Sequence, residues 1–359
     1  MPLRVRATVL PDADVDEFFV VDGRITFDRP ADTLTISDRG FVLPGLVDAH
    51  CHVGLAADGG TPLEEAHAHA IADRDVGALL LRDAGVPHTY LELDDEPDLP
   101  RIVHAGRHLA RTRRYIRGYG IELEPEQLPD AAEAQARRPG GHSTPWVKLV
   151  GDWIDRDLGD LAPCWPGDVL AEAVRRAHEA GARVAVHVFG EEALPDLIAA
   201  GVDSIEHGTG LDEQTLAEVV RRGIAVVPTL VNVANFEKFA DQATKYPLYA
   251  ARMRRLQRSA DARVAAAHDA GVPIYVGTDA GGNLPHGLVV DEMLALQRAG
   301  LSNADVLAAG SWKAREWLGL PGLTDGAPAD FVVYDDDPRK DLNVLRNPQH
   351  IVVRGTVVF

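Results

Sequence analysis

Arg183-Val184-Ala185-Val186-His187-Val188-Phe189-Gly190 is followed by Glu191 to Ala200, then Gly201, then Ser204-Ile205-Glu206-His207-Gly208. The first run is short, apolar and rich in valine, so it reads as a buried strand. The stretch behind it reads as a helix. Gly201 stands where a helix-ending glycine belongs, and a second strand starts just after it. Working outward, the same unit recurs: candidate strands end near His52, Asp83, Gly106, Val150, Phe189, His207, Leu230 and Asp279. Helical stretches cover Gly167 to Ala180, Glu191 to Ala200, Asp212 to Arg222, Asp261 to Ala270 and Leu288 to Arg298, and Gly181, Gly201, Gly223 and Gly271 close the first four. Strands that alternate with helices pair in parallel, and eight of them predict a closed (β/α)8 TIM barrel. A doubly wound open sheet is the alternative, but no glycine-rich phosphate loop supports it.

Both ends of the chain differ from this repeat. Arg4 to Val9, Phe18 to Val21, Arg24 to Phe27 and Thr33 to Ser37 are β-like, with a hairpin signal at Val21-Asp22-Gly23-Arg24. Ala329 to Tyr334 and His350 to Phe359 match them in character, with a turn at Arg354-Gly355. The expected organisation is a small β-sandwich domain built from both termini, residues 1–43 and 321–359, around a barrel of residues 44–320. Two terminal flaps unrelated to each other are the alternative. Two long connections, Ala110 to Pro145 and Val231 to Ser259, follow strand C-termini, where loops of this architecture cover the active site.

Composition narrows the function. The 359 residues are 46% hydrophobic and 25% charged, ordinary for a soluble globular enzyme. Basic residues number 36 against 55 acidic ones, a formal charge of −19, which disfavours nucleic acid and anionic membrane as partners. The basic run Arg111 to Arg117 is short and reads as a solvated or substrate-facing loop. Two cysteines, Cys51 and Cys164, make no disulfide framework, and neither a membrane span nor a signal peptide is visible. A cytoplasmic protein acting on a small molecule is the expectation.

The chemistry starts at Pro44-Gly45-Leu46-Val47-Asp48-Ala49-His50-Cys51-His52. Residues two apart on a strand share a face, so His50 and His52 point together and Cys51 packs behind. Paired neutral imidazoles suit a divalent metal. His187, His207 and Asp279 also stand at predicted strand ends, each just before a turn. Singly, each reads as a satisfied polar group at a barrel rim. Several metal-type ligands converging on the C-terminal face of one barrel read as a catalytic centre. Lys148, in Trp146-Val147-Lys148-Leu149-Val150, is costly to bury as an ammonium ion. A lysine of depressed pKa can capture carbon dioxide and bridge two metals as a carbamate; a strand-end ion pair is the alternative.

The ordered set resembles the amidohydrolase superfamily, in particular its imidazolonepropionase-like and Xaa-Pro dipeptidase-like branch. The matching elements are the His-x-His strand at 44–52, Arg82-Asp83-Ala84-Gly85, the Lys148 strand, His187, Glu206-His207-Gly208, Pro228-Thr229, Gly277-Thr278-Asp279-Ala280-Gly281, and Gly326-Ala327-Pro328-Ala329-Asp330 before Phe331-Val332-Val333. The resemblance implies two divalent metal ions, zinc first, with manganese, iron or cobalt also compatible. His50, His52 and Asp279 would hold the more buried ion and His187 and His207 the other. N6-carboxylated Lys148 would bridge them. A hydroxide between the ions would attack, and Asp279 would act as general base and then general acid. It also implies self-association as a homo-oligomer.

One departure concerns the substrate pocket. Relatives often carry Thr-Gly-Gly-His-Gly after strand three, where this chain reads His108-Leu109-Ala110-Arg111-Thr112-Arg113-Arg114-Tyr115; Gly140-Gly141-His142 lies later. Arg107, Tyr115 and His286 are candidate substrate contacts. His67 and His69, on a helix opened by a Thr61–Glu64 capping box, are expected on the surface, and His178 and His268 in structural positions. The function expected is hydrolysis of a C–N bond in a small amide such as a dipeptide or N-acyl amino acid. Opening of a cyclic amide or imide, hydrolysis of a lactone or ester, and deamination at a mononuclear site are the alternatives, with a non-enzymatic metal-binding protein behind them.

Overall fold

The computed structural model describes residues 1–138 and 144–359, so Gly140-Gly141-His142 lie outside the described residues. Parallel strands form two sheets. One orders Arg101–His104, Ala78–Asp83, Leu46–Ala56 and Ala280–Gly282. The other orders Gly120–Leu123, His108–Arg111, Trp146–Val150, Arg183–Val188, Ser204–His207 and Ala225–Val227. Two seams link them. Tyr275 N donates to Val226 O and Ala49 N to Val276 O. On the other side, Arg101–His104 runs on into His108–Arg111, and Val86 N donates to Gly106 O. The architecture is α/β of TIM-barrel type.

The intervening helices follow from local chemistry. Gly167–Glu179 buries Leu170, Ala173, Val174 and Ala177, a single stripe at helical spacing. Glu213–Arg222 starts on Asp212, whose carboxylate accepts from Thr215 N, and ends at Gly223 in the left-handed region. Gly201 closes Leu194–Ala200 in the same way.

Several expectations are corrected. The supposed loop Val231 to Ser259 is mostly helical, as Leu230–Val233, Phe236–Gln242 and Pro247–Asp269. The long helix is begun by Pro247 and buries Ala250, Met253, Leu256 and Ala260 well ahead of the expected start at Asp261. Ala110 to Pro145 contains the Gly120–Leu123 strand and the Leu128–Ala136 helix. The Thr61 capping box does not form, because Pro62 takes the N-cap position of Leu63–Asp75 and Thr61 Oγ1 donates to Pro62 O. Near Asp279 the regular strand is only Ala280–Gly282, joined to Leu46–Ala56 with a register shift.

The terminal strands form two further sheets. One holds Leu3–Arg6, Glu17–Val21, Arg24–Thr26 and Leu34–Ser37. The other joins Thr8–Val9 and Phe41–Pro44 to Phe331–Tyr334, His350–Val353 and Thr356–Val357. Val5, Phe18, Val20, Ile25, Val42, Phe331, Val333 and Val352 form one shared cluster. Alternation along Phe331–Tyr334 sends Phe331 and Val333 into that cluster and Val332 and Tyr334 into the main core. Both expected hairpins occur, with positive φ at Asp22, Gly23, Arg354 and Gly355. Among the described residues, no helix is long and apolar enough to cross a membrane.

Candidate active site

His50, His52, Lys148, His187, His207 and Asp279 all line one cavity of about 440 Å³. His50 and His52 lie on one face of Leu46–Ala56, while Cys51 is buried behind, its thiol 3.8 Å from Arg82 O. Glycines allow the segment carrying Asp279 to lie against this strand. A Cβ on Gly277 would sit 2.7 Å from His50 Cβ, and one on Gly281 would sit 2.8 Å from His52 Cβ. His207, Thr229 and Asp279 have φ of 68°, 49° and 60°. Such non-glycine residues cost on the order of 1–3 kcal/mol each and persist where the surroundings over-determine them.

The ligand-type atoms converge. His50 Nε2 lies 3.1 Å and His52 Nε2 2.9 Å from Asp279 Oδ1. The metal-binding atoms of these three residues lie within 4.8 Å of one another. His187 and His207 form a neighbouring pair, Nδ1 to Nε2 2.9 Å, and the His207 ring is 5.1 Å from that of His50. Two of the remaining nitrogens are hydrogen-bonded from outside, His52 Nδ1 to Gly85 O at 2.7 Å and His207 Nδ1 to Thr229 Oγ1 at 2.7 Å, and His50 Nδ1 lies 2.6 Å from Glu206 Oε2. Outer contacts of this kind fix ring orientation and leave the inner nitrogen for a ligand. Asn232 Nδ2 donates to Asp279 Oδ2 at 2.7 Å.

Electrostatics favour neutral imidazoles at His187 and His207 and an ionised Asp279. Burial pushes His207 down to about 3 and holds His187 well below the ordinary range. Burial acts to raise Asp279, but His50, His52 and His207 together outweigh it and the carboxyl stays well below the usual range. Lys148 is 1% exposed, Nζ has no hydrogen-bond partner among the described residues, and burial brings it down to about 8. Among the described residues His187 Nε2 likewise has no hydrogen-bond partner. Unpartnered buried nitrogens beside a cluster of histidines and a carboxylate are what a divalent cation would satisfy.

A buried ion pair lies behind His50. Arg82 Nη2 donates to both Glu206 oxygens at 2.8 Å, and Nε donates to Ala49 O at 2.6 Å. The guanidinium stacks 4.6 Å from the Trp146 ring and 5.0 Å from the Trp317 ring. Glu206→Gln would leave this buried cation uncompensated, so it should destabilise the fold by about 3–5 kcal/mol. Urea unfolding checks this, and a loss below about 1 kcal/mol would show that Arg82 is compensated elsewhere.

The three candidate substrate residues part company. Tyr115 lines the cavity, its ring 4.8 Å from Trp153. Arg107 does not; it is exposed and donates to Gly120 O. His286 does not line the cavity either, because Asp73 Oδ2 takes its Nδ1 at 2.7 Å and its ring stacks on His69 at 4.3 Å. His69 is thereby half-buried instead of on the surface, and burial lowers it to about 4. His178 and His268 are peripheral, facing Asp203 and Asp305.

The sequence reading missed His108, Trp153, Phe189 and Asn232, all of which line the cavity. His108 is fully buried with neither ring nitrogen partnered among the described residues, and it lies 5.4 Å from the His52 ring. Burial holds it well below its ordinary pKa. Its signal was Gly106-Arg107-His108, which keeps the glycine-to-histidine spacing expected after strand three without the rest of that segment.

A parallel α/β fold carrying this histidine, aspartate and lysine cluster at its strand ends defines a class of metal-site enzymes, and comparison with known proteins agrees. The amidohydrolase family model matches residues 139–358. An uncharacterized protein of Mycobacterium tuberculosis (strain H37Rv) is 55% identical over 98% of this chain and 95% of its own length. The imidazolonepropionase of Haloarcula marismortui is 27% identical over 83% of this chain and 75% of its own. The crystal structure of a Xaa-Pro dipeptidase with bound methionine in the active site has a TM-score of 0.81 at 21% identity, covering 99% of both chains. This chain belongs to the amidohydrolase family.

Proposed function

We propose that the protein is a metal-dependent hydrolase that cleaves an amide C–N bond in a small molecule. The observation that carries this is the convergence of His50, His52, Lys148, His187, His207 and Asp279 on one cavity, with Lys148 Nζ and His187 Nε2 lacking hydrogen-bond partners among the described residues. His50, His52 and Asp279 would hold one divalent ion, His187 and His207 a second, and Lys148, as a carbamate, would bridge them. Zinc suits the donors, as do manganese, iron and cobalt. Ions bound there supply a water of lowered pKa and polarise the scissile carbonyl.

The chain's own groups do the rest. Asp279 takes the proton of the attacking water and delivers it to the leaving amine. Asn232 holds Oδ2, which turns Oδ1 toward His50 and His52. His108 and Tyr115 stand beside the ligands as substrate contacts. The linked parallel sheets are read as one closed eight-stranded barrel, and the terminal strands of 1–43 and 321–359 as a β-sandwich. Family resemblance taken alone would make the amide that of a dipeptide or N-acyl amino acid.

Elemental mass spectrometry of protein purified without chelators should find about two ions per chain. Chelation should abolish hydrolysis, and added zinc should restore it. A mixed panel of linear amides, cyclic amides, imides, lactones and esters identifies the bond. Metal-free protein, or a loaded protein that cleaves no member, would overturn the proposal, and a stoichiometry near one would return Lys148 to a structural role.

A further inference from the structure

The walls of the cavity are aromatic and carry almost no positive charge. Tyr115, Trp153, Phe189, Phe239, Tyr246 and Tyr249 contribute rings. Trp153 meets Tyr115 edge-on at 4.8 Å and lies 6.5 Å from Phe189 at 30°, so flat apolar surface is continuous along this side. The polar wall groups beyond the candidate metal ligands include the neutral amides of Asn232, Gln242 and Asn283. Among the described residues that line the cavity, Lys148 is the one lysine or arginine, and it belongs to the ligand cluster. The five remaining residues, 139–143, include neither.

Two arginines near the cavity are committed elsewhere. Arg111 donates to Cys164 O, and Arg114 is held by Asp155, Trp153 O and Ala162 O. Lys238 lines a separate recess of about 90 Å³ that shares Phe239 and Gln242 with the cavity, but it does not line the cavity itself. A carboxylate carried into the aromatic part would lose its hydration with no guanidinium or ammonium to replace it. The formal charge of −19 adds a long-range bias against anions.

We infer that the physiological substrate is a neutral amide bearing an aromatic group, and that amides with a free carboxylate outside the scissile bond are discriminated against. The inference rests on the hydrolase reading and departs from the dipeptide class that resemblance alone suggests. It concerns the aromatic wall beside the ligand cluster, with Phe189 4.3 Å and Trp153 5.3 Å from the His187 ring, where shape and charge of the non-reacting part of the substrate are sorted.

The test is a set of matched pairs offered to the metal-loaded full chain: N-acetylphenylalanine amide against N-acetylphenylalanine, and an acylanilide against its 4-carboxylate. The neutral member of each pair should show at least about a tenfold higher kcat/KM. Equal or faster cleavage of the carboxylate members overturns the inference, whether or not Lys238→Ala removes that preference. Cleavage of no member strikes the hydrolase reading instead, and quenching of tryptophan fluorescence by the same pairs then tests the wall alone. Tighter binding of the neutral compounds upholds the inference, and equal or tighter binding of the carboxylates overturns it.

Discussion

Asp279→Asn should fold normally and lose turnover by a factor of about 10²–10⁴, the usual share of a positioned proton-transfer group. Asparagine keeps the size of the side chain and one oxygen near His50 and His52, so the local packing that seats Gly277 and Gly281 against the His-x-His strand survives. It cannot accept a proton from an attacking water. The loss should therefore appear in kcat, with the circular dichroism melting curve little changed. A variant that turns over at near the wild-type rate would remove Asp279 from the proton path, whatever it does for metal.

Lys148→Ala should lose metal and activity together, and a short carboxylic acid should restore part of both. Lys148 is buried and without a hydrogen-bond partner among the described residues, and burial brings its amine down to about 8, so a substantial neutral fraction is available to react with carbon dioxide near that pH. Removing the side chain leaves a cavity that an added carboxylate can enter with the two oxygens a carbamate would have offered. Metal content and activity are measured with and without the acid. Undiminished activity in the variant would sink the bridging role.

The ligand set was legible because its members lie on or beside short apolar strands, whose limits are marked in the sequence by glycines and turns. Helix stops were equally visible at Gly201 and Gly223, whose left-handed conformations are ones glycine adopts cheaply. The cavity wall was harder to see. Phe239, Tyr246 and Tyr249 come from a stretch read as loop, whose helices are set by packing of residues such as Met253 and Leu256 against the core. Arg107 and His108 show a subtler failure. Neighbours along an extended segment point to opposite sides, so choosing the arginine excluded the histidine that faces His52. His286 misled because its partner, Asp73, is far away in sequence, and no local pattern announces that pairing. The buried Arg82–Glu206 pair was likewise quoted in its motifs without its geometry, which needs two strands and the stacked rings of Trp146 and Trp317.

The antiparallel pairing of Phe41–Pro44 with Phe331–Tyr334 has a consequence for the chain as it is made. Thr8–Val9 and Phe41–Pro44 cannot complete their sheet until almost the whole polypeptide has followed. At roughly 5–20 residues per second this wait is about 15 to 60 s. Throughout it, Val42 lacks its partner Val333, and the strand edge at Phe41–Pro44 is open to mispairing with other nascent chains. The barrel segment can collapse meanwhile, so the last step of biogenesis is the closing of a clasp between the two ends of the molecule. Truncations that remove the final strands should therefore strand the N-terminal ones, and the yield of soluble protein should depend on how well that interval is chaperoned.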